Sequence, residues 1–63
     1  MKNTVEIIGT PWSMSDLLIE VAETWIKENF GIEALHEMPN EEFEMVENLV
    51  MEGQIRYKII KQA

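Results

Sequence analysis

The chain has 63 residues, of which 46% are apolar, contains no cysteine and carries a formal net charge of −7 at pH 7. This length is enough for one domain, residues 1–63, with one small core. The lack of cysteine excludes disulfides, and no stretch has the length and hydrophobicity of a signal peptide or membrane span. We therefore expect a cytoplasmic protein with no membrane contact.

The charge is distributed unevenly along the chain. Between Glu33 and Glu52 the sequence contains seven carboxylates and no lysine or arginine, whereas Arg56, Lys58 and Lys61 lie within the last eight positions. A negatively charged surface repels phosphate groups and attracts basic proteins. We therefore expect no direct binding of nucleic acid, and the basic surface of another protein as the partner.

A short strand is predicted at Asn3–Ile8, which is rich in β-branched residues. Val5 and Ile7 would share one face of this strand, and the alternate residues would share the other. Gly9 and Pro11 follow and end the strand, because glycine is conformationally permissive and proline cannot continue a hydrogen-bonded ladder.

A long amphipathic helix is predicted between Ser13 and Gly31, and we expect the other elements to pack onto it. Its apolar stripe consists of Met14, Leu17, Leu18, Val21, Ala22, Trp25 and Ile26. The helix starts between Thr10 and Ser15, with Thr10 and Ser13 as the candidate N-caps. We place the neighbouring Trp12 in the core.

The end of this helix is more sharply defined than its start. It is predicted at Phe30, in a Schellman motif in which Gly31 adopts the left-handed conformation and Ile32 folds back onto the last turn.

The next segment, Ile32–Met38, determines the topology. If it is a loop or a helical turn, the chain forms a β-α-α-β domain with two helices packed on a short antiparallel sheet, and this α+β fold is the one we expect. If it is a strand, the result is a β-α-β-α-β domain with a three-stranded parallel sheet.

A second helix is predicted from Asn40, a favourable N-cap residue, to Gly53, which ends it. Its first turn is acidic, and negative charge there interacts favourably with the helix dipole. The stripe predicted to be buried consists of Phe43, Val46, Leu49 and Val50. Met45 and Met51 fall outside that stripe. They either add to the core or form a patch for a partner, because methionine adapts to irregular surfaces.

The stretch Gln54–Ile60 alternates as a strand does, with Ile55, Tyr57 and Ile59 on one face. Set antiparallel to the first strand, it would bring its basic residues across from Glu6. A sheet of two strands has two open edges and is marginally stable by itself. We therefore expect the chain to form a homodimer.

No combination of residues predicts catalysis or a cofactor. The serines lie beside a helix start where capping explains them, and the three glycines are isolated rather than grouped in a phosphate-binding loop. Glu33 and His36 have the Glu-x-x-His spacing of di-iron bundle proteins. They lie in a predicted connector rather than within a helix, so we expect no metal site, no cofactor and no enzyme activity.

The predicted order strand, helix, helix is also that of the ribbon-helix-helix fold, which this chain resembles in element order only. In that fold the paired strands of a dimer enter the major groove of DNA and need side chains that donate hydrogen bonds to bases and phosphates. The strand of this chain carries Glu6, and its net charge is negative. A DNA-binding regulator is therefore an alternative and not our expectation.

The sequence indicates a non-catalytic acidic protein-interaction module, a small regulator or inhibitor that docks its glutamate-rich second helix on a basic partner. The predicted partner-binding residues are Glu37, Glu41, Glu44, Met45, Glu47 and Met51. The further alternatives are an inhibitor that mimics nucleic acid to occupy a DNA-binding protein, and a structural homo-oligomer.

Overall fold

A computed structural model describes residues 3–9 and 12–60 of the chain. In this part of the chain two strands flank three helices, in the order β1 (Thr4–Ile8), α1 (Met14–Phe30), α2 (Ile32–Glu37), α3 (Asn40–Met51) and β2 (Arg56–Ile60). The strands form one two-stranded sheet, and α1 packs against β1, α2 and α3. The predicted α+β class is confirmed.

Helix α1 begins where the sequence provides a cap. The Ser13 side-chain oxygen accepts a hydrogen bond from the Asp16 backbone N–H at 3.2 Å, which pairs one of the donors left over at a helix start. Thr10, the other candidate cap, lies outside the described residues.

The apolar stripe of α1 faces the core, with one exception. The buried members are Leu17, Val21, Ala22, Trp25 and Ile26, and Leu18 is half-buried. Met14 is 67% exposed, so its predicted burial is wrong. It lies in the first turn, ahead of Leu17, the first residue of the helix that reaches the core.

Helix α1 ends at Phe30 as predicted, but the end is not a Schellman motif. Gly31 has φ 94° and ψ 166°, a conformation accessible mainly to glycine, and its ψ angle differs from that of the left-handed helix. Its N–H donates to the Lys27 carbonyl at 3.0 Å. Because ψ is extended, the chain passes directly into α2, and Ile32 becomes its first residue instead of folding back onto α1.

Helix α3 has the predicted inward stripe. Val46 and Val50 are buried, and Phe43 and Leu49 are half-buried against the same core. The helix begins at Asn40, with Pro39 and not Asn40 in the N-cap position. None of the described helices is long and apolar enough to cross a membrane.

A Schellman motif does occur, at the end of α3. Gly53 donates its N–H to the Val50 carbonyl at 3.1 Å. Gln54 donates to the Leu49 carbonyl at 3.0 Å, which completes the pair of hydrogen bonds that defines the motif. Gly53 has φ 83°, a value that favours glycine. The Leu49 carbonyl also accepts from Ile55 at 3.2 Å, so the turn leads directly to the buried Ile55 and into β2.

The segment after α1 is a helix, and this is linked to the direction of the sheet. Because α2 spans Ile32–Glu37, the alternative of a third strand there is wrong. The predicted antiparallel pairing is also wrong, since β1 and β2 are parallel. Parallel strands require a crossover that returns the chain to the end of the sheet where it began, and the three helices together form that crossover. At that end the Arg56 N–H donates to the Asn3 carbonyl at 2.7 Å.

The helices cover β1 more completely than β2. On the face toward the helices, Val5 lies opposite Tyr57 and Ile7 opposite Ile59. Val5 and Ile7 are buried, whereas Tyr57 is 39% and Ile59 is 40% exposed. The inward face predicted for the first strand is therefore confirmed, and that of the second strand is buried only at Ile55, just before β2.

The outer face of the sheet is open to solvent. It consists of Thr4, Glu6, Ile8, Arg56, Lys58 and Ile60, all of them exposed. Glu6 lies opposite Lys58, so the expected juxtaposition of opposite charges is present although the strands run parallel.

Trp12 does not belong to the core, contrary to the prediction. It is 96% exposed. It precedes the N-cap Ser13 and so lies outside α1. Trp25 provides the aromatic side chain of the core instead, and its ring lies 5.7 Å from that of Phe30 in an edge-to-face arrangement.

Replacing Ile26 with alanine is expected to lower the free energy of unfolding by about 2–5 kcal/mol, because this fully buried side chain leaves a cavity in the core. Ile19 in the same helix is 40% exposed, and its replacement by alanine is the matched control, expected to lower it by about 1 kcal/mol or less. Urea unfolding followed by circular dichroism measures both. Equal losses would contradict the orientation of α1.

Candidate functional site

Carboxylates and methionines share the side of α3 that points away from the core. Residues three or four apart lie on one face of a helix. This spacing groups what we name the α3 outer face: Glu41, Glu44, Met45, Asn48, Met51 and Glu52. All six are exposed, whereas Val46 and Val50 on the opposite side are buried. Four of the predicted partner-binding residues, Glu41, Glu44, Met45 and Met51, therefore lie on one solvent-facing surface.

The two methionines of the α3 outer face are highly exposed. Met45 is 65% and Met51 69% exposed, which excludes the interpretation that they add to the core. Methionine side chains are flexible and polarisable, so they pack well against irregular apolar surfaces. The α3 outer face thus offers apolar contact area among negative charges.

The other two predicted partner-binding residues lie elsewhere. Glu47 is half-buried on the flank of α3, between the outer face and the inward stripe. Glu37 is the last residue of α2 and lines a hollow with Phe30, Met38 and Glu42. The structure does not bring Glu37 and Glu47 onto the α3 outer face.

The acidic surface of α3 contains no lysine or arginine. Glu41 and Glu42 lie in the first turn, near the positive end of the helix dipole, and the last turn has no basic residue. Among the described residues no charged or polar side chain is buried, so these carboxylates remain hydrated and accessible. Exposed charge pairs contribute little affinity individually. They mainly steer association, and salt screens them strongly.

Glu33 and His36 lie in α2, at exposed positions about one helical turn apart. Because the segment is helical, the two side chains lie on the same face of α2. In a non-helical connector they would not have to share a face. Within residues 3–9 and 12–60, no group of three or more histidine and acidic side chains is arranged to hold a metal ion.

A second surface lies beside the edge of β1 that does not pair with β2; the sequence predicts open sheet edges but not the residues that line this one. Two adjoining hollows between β1 and α1 share Ile8, Glu20 and Glu23 as lining residues. We name this surface the edge trough, formed mainly by Glu6, Ile8, Trp12, Ile19, Glu20 and Glu23. The sequence does place Glu20 and Glu23 opposite the apolar stripe of α1, but their approach to β1 depends on how the helix packs.

Comparison of the chain with protein-family models, with curated proteins and with solved structures finds no match. The function is therefore inferred from the two surfaces themselves.

Replacing Met45 and Met51 together with glutamine is expected to leave the free energy of unfolding unchanged to within about 0.5 kcal/mol, because both side chains are exposed and glutamine has a similar helix propensity. Val50→Gln, which buries an amide in the core, is the control and is expected to lower it by at least about 2 kcal/mol. Urea unfolding measures both. A loss above about 1 kcal/mol in the methionine variant would show that these side chains support the fold.

Proposed function

We propose that this protein is a non-catalytic, cytoplasmic interaction module that regulates or inhibits a basic partner protein by docking the α3 outer face on it. The exposure of Met45 and Met51 among carboxylates carries the proposal, together with the absence of lysine and arginine between Glu33 and Glu52. A single helix face supplies both apolar contacts and charge.

The two kinds of side chain have different roles in such an interface. Exposed carboxylates speed association with a basic surface and disfavour acidic partners, whereas apolar side chains that become buried in an interface provide most of the binding free energy. Met45 and Met51 are separated by about 9 Å along the helix axis, given the rise per residue of an α-helix. They also lie about 120° apart around the axis, at the two margins of the α3 outer face, so a matching partner has apolar contact area on both sides of its lysine or arginine residues.

Replacing Glu41 and Glu44 together with lysine is expected to weaken partner binding by about tenfold or more, because the favourable charge pairs become repulsive. The matched control, Glu28→Lys with Glu33→Lys, makes the same change of net charge at exposed positions of α1 and α2 and is expected to bind nearly as well as the wild type. The partner is isolated from lysate with the wild-type protein, and its affinity for each variant is measured by calorimetry at low and at physiological salt.

Equal losses of affinity in the two charge variants would show that only the net charge of the protein matters. An affinity that changes neither with salt nor in the variants would contradict the docking mechanism. Duplex DNA added as a competitor characterises the partner's surface. It displaces the protein if the carboxylates occupy a nucleic-acid-binding site, which is the mimicry alternative, and has no effect if they dock elsewhere.

Self-association is a second candidate, favoured by the poorly covered strand β2. Tyr57 and Ile59 are 39% and 40% exposed on the face toward the helices, and the outer edge of β2 has no partner strand within the described chain. Antiparallel pairing with the β2 of a second copy would extend the sheet to four strands and cover these side chains. We propose a homodimer of this kind.

A homodimer through β2 predicts that light scattering gives the molar mass of a dimer. Tyr57→Pro is expected to yield a monomer with an unchanged circular dichroism spectrum, because in the observed register the Tyr57 N–H faces away from β1 and proline there removes a donor from the outer edge only. The matched control is Tyr57→Phe, which keeps the backbone donor. A wild-type protein that stays monomeric at high concentration would contradict the homodimer.

A further inference from the structure

The outer edge of β1 presents unpaired backbone groups. At one end of the ladder the Asn3 carbonyl accepts from the Arg56 N–H at 2.7 Å, and at the other end the Gly9 N–H donates to a β2 carbonyl at 3.1 Å. In a parallel pair, the backbone N–H and C=O groups of alternate residues point toward the partner strand. These two bonds show that the backbone groups of the odd-numbered residues of β1 point toward β2. The remaining N–H and C=O groups, which no strand pairs within residues 3–9 and 12–60, belong to Thr4, Glu6 and Ile8.

The edge trough runs beside Glu6 and Ile8, with α1 as its second wall. Its two hollows have volumes of about 270 and 580 Å³. Both are lined by Ile8, Glu20 and Glu23, so they adjoin one another beside the strand. An extended peptide that adds to a sheet edge obtains affinity from main-chain hydrogen bonds and specificity from the pockets that receive its alternate side chains.

The edge trough is acidic. Glu6, Asp16, Glu20 and Glu23 line it, and Lys27 is the one cation among the described lining residues. Successive side chains of an added strand point to opposite faces of the sheet. Lysine or arginine at alternate positions would therefore face the carboxylates on the α1 wall while the backbone pairs with β1.

The edge trough also exposes apolar side chains that an added strand would cover. Ile8 is 64%, Trp12 96% and Ile19 40% exposed. Single exposed apolar residues are ordinary, but a group of them beside a free strand edge indicates a binding surface. The complementary segment alternates basic residues with valine, isoleucine or an aromatic residue.

We propose that the edge trough binds an extended segment of a partner protein, with basic and apolar residues in alternation, as a third strand of the sheet. A second copy of β1 fits less well, because pairing two β1 strands brings the carboxylates of both troughs together. None of the trough residues lies on α3, so this site is independent of the α3 outer face and of the function proposed for it.

The probe is a short synthetic peptide that alternates lysine and valine. One control has glutamate in place of lysine, and the other is the lysine peptide N-methylated at the alternate residues whose N–H groups would pair with β1. Calorimetry is expected to show binding of the lysine peptide and none of either control. Equal binding of the N-methylated peptide would overturn the proposal, since N-methylation removes backbone donors and keeps the charge.

Hydrogen exchange at single amides locates the bound peptide. In the free protein the Glu6 and Ile8 amides are expected to exchange faster than those of Val5 and Ile7, which bond to β2. The peptide should slow exchange at Glu6 and Ile8 by about tenfold or more. Protection of the β2 edge instead, or of neither edge, would overturn the proposal. Protection of Glu6 and Ile8 in the free protein at high concentration would also overturn it, by assigning the trough to a second copy.

Variants separate the two acidic surfaces. Glu20→Gln removes one exposed charge from the trough wall and is expected to weaken peptide binding about two- to fivefold, whereas Glu28→Gln on the same helix outside the trough should have no effect. The double variant Glu41→Lys with Glu44→Lys should bind the peptide as the wild type does. If that double variant abolishes binding and Glu20→Gln does not, the peptide occupies the α3 outer face and the proposal is wrong.

Discussion

The packing of α1 against its neighbours is the interaction on which the rest of this structure depends. Val21, Ala22 and Ile26 have no exposed surface, and β1, α2 and α3 all contact this helix. A chain of 63 residues buries on folding a smaller fraction of its surface than larger domains do, so it supports only one core. The helix with the longest apolar stripe therefore determines where the other elements lie.

Both candidate surfaces result from concentrating the core on α1. Helix α3 needs only its inward stripe of Val46 and Val50 for packing, so its other side is free to carry glutamate and methionine. The helices cover β1 and leave β2 half-exposed, and a two-stranded sheet has no strand to protect either edge. What the small core leaves uncovered is the surface that the chain has available for partners.

The long helices and both strands follow from residue patterns, because the periods of helix and strand are local properties. The six residues of α2 form less than two turns, too few for periodicity to distinguish a helix from a loop. That ambiguity had a large effect, since α2 belongs to the crossover between the two parallel strands. The two helix ends at glycine also show that a local pattern does not fix the backbone geometry. Gly31 and Gly53 both have positive φ, but only Gly53 forms the Schellman motif.

By itself the sequence determined the two long helices, the two strands, most of the buried stripe of α1 and the acidic, methionine-bearing face of α3, because each depends on spacing within one segment. Four of the six predicted partner residues lie on that face, whereas Glu37 ends α2 and Glu47 lies on the flank of α3, positions that depend on how α2 and α3 pack. Only the tertiary structure decided the parallel sheet, the exposure of Trp12 and the edge trough. The physical reason is that these features depend on which segments distant in sequence pack against one another, and the spacing of residues within one segment does not specify that packing.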